Sequence, residues 1–195
     1  MPYSGHALRE IVRGIRVFFC DSDGVLFPNT VLMGGPHKAK RRSYYDGQGV
    51  SLLRAIGIRV VFITNSSGDS AAAIRETVEK FNSLPSSKPQ KADGWEPVLL
   101  HEGHNGPMKL RIAEEYAAKH GFSLETDAAF MGDDLVDAPL LSAVALPAAP
   151  AQAEKAIRDI CTFVAGREGG AGAIRDFANM VLEAHGVDPF SLPTS

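Results

Sequence analysis

Ile15-Arg16-Val17-Phe18-Phe19-Cys20-Asp21-Ser22-Asp23-Gly24-Val25 begins apolar and turns abruptly acidic. The run Ile15 to Cys20 reads as a strand, short and nearly continuous in apolar side chains, as suits a strand buried on both faces of a parallel sheet. Asp21-Ser22-Asp23-Gly24 follows at once. In open α/β sheets ligands gather beyond the carboxyl ends of the strands, so two carboxylates at that point mark a candidate site.

Outward from this segment, apolar runs recur at Arg59 to Ile63, Pro97 to Leu100 and Ala128 to Met131, with a weaker pair at Val144 to Leu146 and Thr162 to Val164. Helical patterns fill the intervals: Gly49 to Ile56, Ser70 to Phe81, Met108 to His120, Ala138 to Ala143, Ala151 to Ile160 and finally Ala171 to Ala184. The alternation predicts βαβ units and therefore an α/β fold, a doubly wound parallel sheet. One segment breaks it. Phe27 to Tyr45 sets Gly34-Gly35-Pro36 between two β-prone stretches, which predicts a β-hairpin flap after the first strand. Ser83 to Glu96, rich in Ser, Pro and Lys, predicts an exposed loop, with Trp95 packed beneath it. A chain of 195 residues, 45% hydrophobic, suits one core, so we expect a single domain over 1–195 with no large cap domain.

A net charge of −3 gives no electrostatic reason to bind nucleic acid or an anionic membrane. Met1 to Arg16 holds no apolar run suited to a signal peptide or membrane span, and Cys20 and Cys161 sit in apolar stretches as free thiols would. Both features predict a cytoplasmic protein. Lys38-Ala39-Lys40-Arg41-Arg42 reads first as a solvated face of the flap, then as a binder of anionic substrate. His101-Glu102-Gly103-His104 lacks the helical spacing of zinc-binding pairs and reads rather as a substrate-facing loop.

The other strands also end in polar residues. After the second comes Thr64-Asn65-Ser66-Ser67-Gly68; after the third, His101 to Asn105 lead into a helix bearing Lys109; after the fourth, Gly132-Asp133-Asp134 is followed by Asp137. Carboxylates gathered this closely cannot all stay charged without a cation, and hard oxygen ligands favour magnesium.

Asp21-Ser22-Asp23-Gly24-Val25, Thr64, Lys109 and Gly132-Asp133-Asp134, in that order, resemble the four motifs of the haloacid dehalogenase superfamily. Within it the chain is similar to the capless sugar-acid phosphatases typified by the enzyme for 3-deoxy-D-manno-octulosonate (KDO) 8-phosphate. That similarity rests further on the flap, on Asp46-Gly47-Gln48-Gly49, on Leu135-Val136-Asp137 and on Glu168-Gly169-Gly170-Ala171-Gly172-Ala173-Ile174-Arg175. The resemblance implies a magnesium-dependent phosphatase acting on a small sugar phosphate or sugar-acid phosphate through an aspartyl-phosphate. Asp21 would be the nucleophile and Asp23 the acid/base. Thr64, Asn65 and Lys109 would hold phosphoryl oxygens. The metal would be held by Asp21, the Asp23 carbonyl and Asp133, with Asp134 and Asp137 behind them or joining them. Lys40, Arg42, Asp46, Gly47, His101, His104, Arg167 and Arg175 are candidate substrate contacts.

The resemblance also implies a homotetramer in which flaps are buried between chains, and Val31-Leu32-Met33 would give the flap its apolar face. The chain departs from that group twice, with Thr64-Asn65-Ser66 in place of Thr-Gly-Arg and Tyr45 in place of an Arg before Asp46-Gly47. Each change removes a guanidinium suited to a carboxylate, which leaves open whether the substrate is an acid. A phosphomutase or phosphotransferase is the alternative enzyme. A non-catalytic regulatory or assembly subunit is the alternative outside catalysis, but its expected mark, loss of Asp21 or Asp23, is not found.

Overall fold

β1 (Val17–Cys20) is buried at every residue and has a parallel neighbour on each edge. β2 (Arg59–Thr64) pairs Arg59 with Val17, and β4 (Ala128–Met131) pairs Ala128 with Val17. The computed structural model describes residues 5–32, 39–84 and 96–193. Adding β3 (Leu99–Glu102), β5 (Leu146–Ala149) and β6 (Phe163–Val164) gives a six-stranded parallel sheet in the order β3-β2-β1-β4-β5-β6. The chain winds from β1 out to β3 and then returns to β4 on the other side of β1. The order therefore reverses between β1 and β4, where such sheets open a crevice at their carboxyl ends.

Alternation along β1 divides the core. Phe18 and Cys20 join one apolar cluster, while Val17 and Phe19 join the other. The first face is covered by α1 (Gly5–Gly14), α2 (Tyr44–Ala55), α3 (Ala72–Ser83) and α8 (Ala173–His185), through side chains such as Val12, Leu53, Ile74 and Phe177. Phe18 stacks on Phe177 with ring centroids 4.5 Å apart. The second face is covered by α4 (Gly106–His120), α6 (Ala138–Leu141) and α7 (Lys155–Ile160), through Ala113, Leu140 and Ile157, with the short α5 (Leu124–Asp127) leading into β4.

Several predicted boundaries move, each for a physical reason. The N-terminal helix α1 was not expected; Leu8, Ile11 and Val12 form a narrow apolar stripe against the first cluster, easily missed among charged neighbours. β3 lies two residues beyond the apolar run, since an edge strand accommodates half-exposed His101 and Glu102. β5 runs through Pro147, which has no N–H to contribute, and its carbonyl accepts from Thr162 at 2.9 Å. α7 is shorter than predicted. α2 begins at Tyr44, capped by Ser43, so Tyr45 is helical and the flap ends before it. Gly49 made this helix hard to read, yet it is required by packing: a Cβ there would lie 2.9 Å from the Arg175 backbone nitrogen of α8.

The flap's two arms meet in an antiparallel bridge between Leu32 and Ala39. Met33, Lys38 and the residues between them lie outside the described residues, as does Trp95 with most of the predicted loop. Cys20 is buried and Cys161 half-buried, both as free thiols. No helix among the described residues is long and apolar enough to cross a membrane.

Candidate active site

Asp21 stands one residue past β1, still tied to the sheet by its N–H to the Met131 carbonyl at 3.0 Å. Its side chain is buried. Oδ1 accepts the Ser22 N–H at 2.7 Å, and Oδ2 lies 2.9 Å from Lys109 Nζ. Lys109 projects from the first turn of α4 and is 1% exposed, with a second carboxylate, Asp137, 2.7 Å from the same ammonium. Burial pulls the Lys109 ammonium towards neutrality; Asp21 and Asp137 outweigh this and hold its pKa above the ordinary value.

The Asp133 loop is built around Asp137. One oxygen of Asp137 takes the lysine; the other accepts the N–H groups of Asp133 and Asp134 at 3.0 and 3.3 Å. Asp134 returns the favour by capping the short turn through the Leu135 N–H, and it is otherwise exposed. Asp133 is thereby aimed at the Asp21 loop, where it accepts from the Asn29 amide at 3.1 Å. Gly24, at φ +85°, is what permits this approach, because a Cβ there would fall 1.9 Å from an Asp133 carboxylate oxygen.

Asp21, Asp133 and Asp137 offer carboxylate oxygens that all lie within 4.8 Å of one another. One ammonium cannot balance them. Burial, followed by repulsion from Asp137, raises Asp21 to about 7. Burial, followed by Asp21 and Asp137, raises Asp133 to about 8. A hard divalent cation fits this donor set, since it would remove the repulsion that keeps protons on the acids. Both oxygens of Asp21 and both of Asp137 already meet donors within the protein, whereas the Asp133 carboxylate accepts from Asn29 at Oδ2.

Asp23 points elsewhere. Its Oδ1 meets Lys40 Nζ at 2.5 Å and its Oδ2 accepts from the Ser66 hydroxyl at 2.9 Å. Thr64 is 1% exposed and its hydroxyl accepts from Ser22 Oγ at 2.7 Å. Asp21, Asp23, Thr64, Asn65, Lys109, Asp133 and Asp134 all line one cleft of about 370 Å³.

The candidate substrate contacts divide. Lys40 reaches the site through Asp23. Arg42 packs its guanidinium over Phe81, 5.2 Å from the ring centroid, and covers Gly47. Asp46 is fully buried and accepts the N–H groups of Gly172 and Ile174, each at 2.9 Å, which locks α2 to the start of α8. Burial raises Asp46 to about 6 even against those donors. Asp46, Gly47 and Arg42 are thus held away from the cleft. His101 and His104 face each other with centroids 6.4 Å apart, and no third zinc ligand joins them among the described residues. Arg167 is paired with Asp176 at 2.6 Å and lies over Tyr45, whereas Arg175 binds Asn179 and Gln48. The Gly169 to Gly172 segment is no free hinge: Gly170 N–H donates to the Val25 carbonyl at 2.9 Å, and Gln152 bridges Gly169 to the Gly24 carbonyl.

Reading the sequence missed Asn29, Ser66 as a partner of Asp23, and Gln152. Ser66 had a usable signal in its place just after Thr64. Asn29 and Gln152 had none, since each is brought in by a loop whose path only the fold defines.

No family model matches the chain. By sequence it is 29% identical over 171 residues to the 3-deoxy-D-manno-octulosonate 8-phosphate phosphatase of Yersinia pestis, covering 87% of this chain and 81% of that protein. By structure it superposes with a TM-score of 0.78 on a Legionella pneumophila hydrolase described as haloacid dehalogenase superfamily, subfamily III A, at 25% identity over 93% of this chain and 89% of that one. A Moraxella catarrhalis 3-deoxy-D-manno-octulosonate 8-phosphate phosphatase, solved with magnesium, phosphate and KDO, also gives 0.78 over 93% of each chain; at 20% identity it shows the fold alone.

Proposed function

We propose, from the chain's place in the haloacid dehalogenase superfamily among the capless proteins similar to KDO 8-phosphate phosphatase, that it is a magnesium-dependent phosphatase of a small phosphorylated sugar or sugar acid. The observation that carries this reading is Asp21: a buried carboxylate at the point where the strand order reverses, held by Ser22 and Lys109 and facing a polar cleft shared with Asp23.

Asp21 attacks phosphorus in line and becomes an aspartyl-phosphate, which divides the hydrolysis into two displacements. Lys109 orients the attacking carboxylate and, with Thr64 and Asn65, binds the phosphoryl oxygens. Asp23, which lines the same cleft, protonates the departing alcohol oxygen and then takes the proton from the water that cleaves the intermediate. Magnesium bound by Asp21 and Asp133, with the Asp23 carbonyl, would offset the repulsion between the carboxylate and the phosphate. Asp137 and Asp134 hold the loop that presents Asp133.

The whole chain acts as one domain on this reading, with the cytoplasm as its compartment in keeping with two free thiols. Association into a homotetramer through the flap is favoured by Val31 and Leu32, the latter 74% exposed on the flap arm. Such contacts would wall a cleft that this chain leaves open.

The test is phosphate release from a panel of phosphorylated sugars and sugar acids with magnesium, for the wild type and Asp21→Asn. The variant should fold and release nothing. No release from any ester by the wild type, or near-wild-type turnover by the variant, would sink the proposal.

A further inference from the structure

Lys40 belongs to the flap, yet its ammonium lies on the carboxylate assigned to proton transfer. Its side chain is 4% exposed, and Nζ sits 2.5 Å from Asp23 Oδ1 and 5.3 Å from the centroid of Phe27, which fixes it from a second side. Asp23 itself is 36% exposed and, among the described residues, its other side-chain partner is the Ser66 hydroxyl on Oδ2. The carboxylate is thus held between the flap and the segment after β2. A smaller cleft of about 240 Å³, lined by Asp23, Lys40, Asn29, Thr30, Ser66 and Ser70 among others, opens at this point beside the larger one. The leaving alcohol would lie there, with Asp23 at the boundary between the clefts.

The two contacts differ in kind. An ammonium only donates, so Oδ1 in contact with Lys40 stays an acceptor. A hydroxyl either donates or accepts, so Ser66 tolerates Oδ2 with or without a proton. This asymmetry selects Oδ2 as the oxygen that carries the proton in both displacements. We infer that Lys40 is a positioning residue for Asp23, so that the flap supplies part of the acid/base apparatus and does more than wall the cleft. The inference rests on the phosphatase reading above. On this inference Lys40 acts through Asp23, its ion-pair partner.

That dependence makes it testable. Lys40→Met keeps the stem against Phe27 and removes the ammonium. With magnesium present, kcat/KM would be measured for phenyl phosphate, whose leaving group benefits from a proton, and for p-nitrophenyl phosphate, whose leaving group needs none. The same pair would be measured for Lys40→Arg, and for Lys40→Met in an Asp23→Asn background. We expect Lys40→Met to lose about tenfold or more on phenyl phosphate and under about threefold on p-nitrophenyl phosphate, with partial recovery in Lys40→Arg. In the Asp23→Asn background the further loss should vanish, because a residue acting through Asp23 has nothing left to position. Equal losses on the two esters, or a full additional loss without Asp23, would overturn the inference while leaving the phosphatase reading intact. A wild type silent on both esters and on every phosphorylated sugar and sugar acid would overturn that reading, and this inference with it.

Discussion

Without a divalent cation, raising the pH should weaken this protein in a window set by two aspartates. Asp133 rises to about 8 and Asp21 to about 7 in the fold, chiefly by burial, from ordinary values near 3.8. Because the folded state holds these protons more tightly than the unfolded chain, their contribution is fully present below the unfolded pKa and is lost as pH rises through the folded one. At ~1.4 kcal/mol per pH unit, Asp133 alone accounts for a loss of about 4 kcal/mol between roughly pH 5 and pH 8, with Asp21 adding to the first part of that fall. The assay is urea unfolding of chelator-treated protein across that range, with and without magnesium. Magnesium should restore little near pH 5 and most above pH 8, since only the ionised pair binds it. Asp133→Asn should flatten the metal-free profile. A metal-free protein at least as stable near pH 8 as near pH 5 would refute the reasoning, because the carboxylates would then be paying no cost for proximity.

Three substitutions probe the scaffold. Gly24→Ala sets a methyl 1.9 Å from an Asp133 oxygen on a backbone at φ +85°, so phosphate release should fall about 100-fold through displaced carboxylates; unchanged kcat would show that the loop yields freely. Asp46→Ala strands the Gly172 and Ile174 N–H groups in the interior and should cost about 2–5 kcal/mol in urea unfolding; a change under ~0.5 kcal/mol would remove its assigned role as a lock. Lys109→Met leaves Asp21 and Asp137 unneutralised, and turnover should drop about 100-fold with weaker inhibition by inorganic phosphate; inhibition at the wild-type level would take Lys109 off the phosphoryl group.

Strand β1 and its acidic exit were legible because a buried parallel strand must be apolar throughout and the residues after it are released from that constraint. The same logic located Thr64, Lys109 and Asp133. It did not locate their partners. Asp46 reads as a substrate contact because Asp46-Gly47-Gln48-Gly49 resembles the sugar-acid phosphatases, and only the packing of α2 on α8 shows that its carboxylate accepts two backbone N–H groups. Arg167 and Arg175 read as free to reach because they flank glycines, whereas Asp176 engages Arg167, and Gln48 and Asn179 engage Arg175, once α8 forms. Ser66 is where the chain's own chemistry shows most clearly, since a hydroxyl there can either donate to or accept from the Asp23 side chain.

The contact between Gly170 and Val25 ties the Asp21 loop to a segment made nearly a hundred and fifty residues later, and β1 also waits for β4 as a neighbour. During synthesis the turn from Asp21 to Gly24 therefore emerges long before anything exists to shape it. A ribosome-bound chain would carry Asp21 and Asp23 for many seconds as two ordinary aspartates on a loose segment, at elongation rates of about 5–20 residues per second. Chemistry would begin only when the stretch around Gly170 has been made and docked, so the order of translation itself keeps the nascent protein inert.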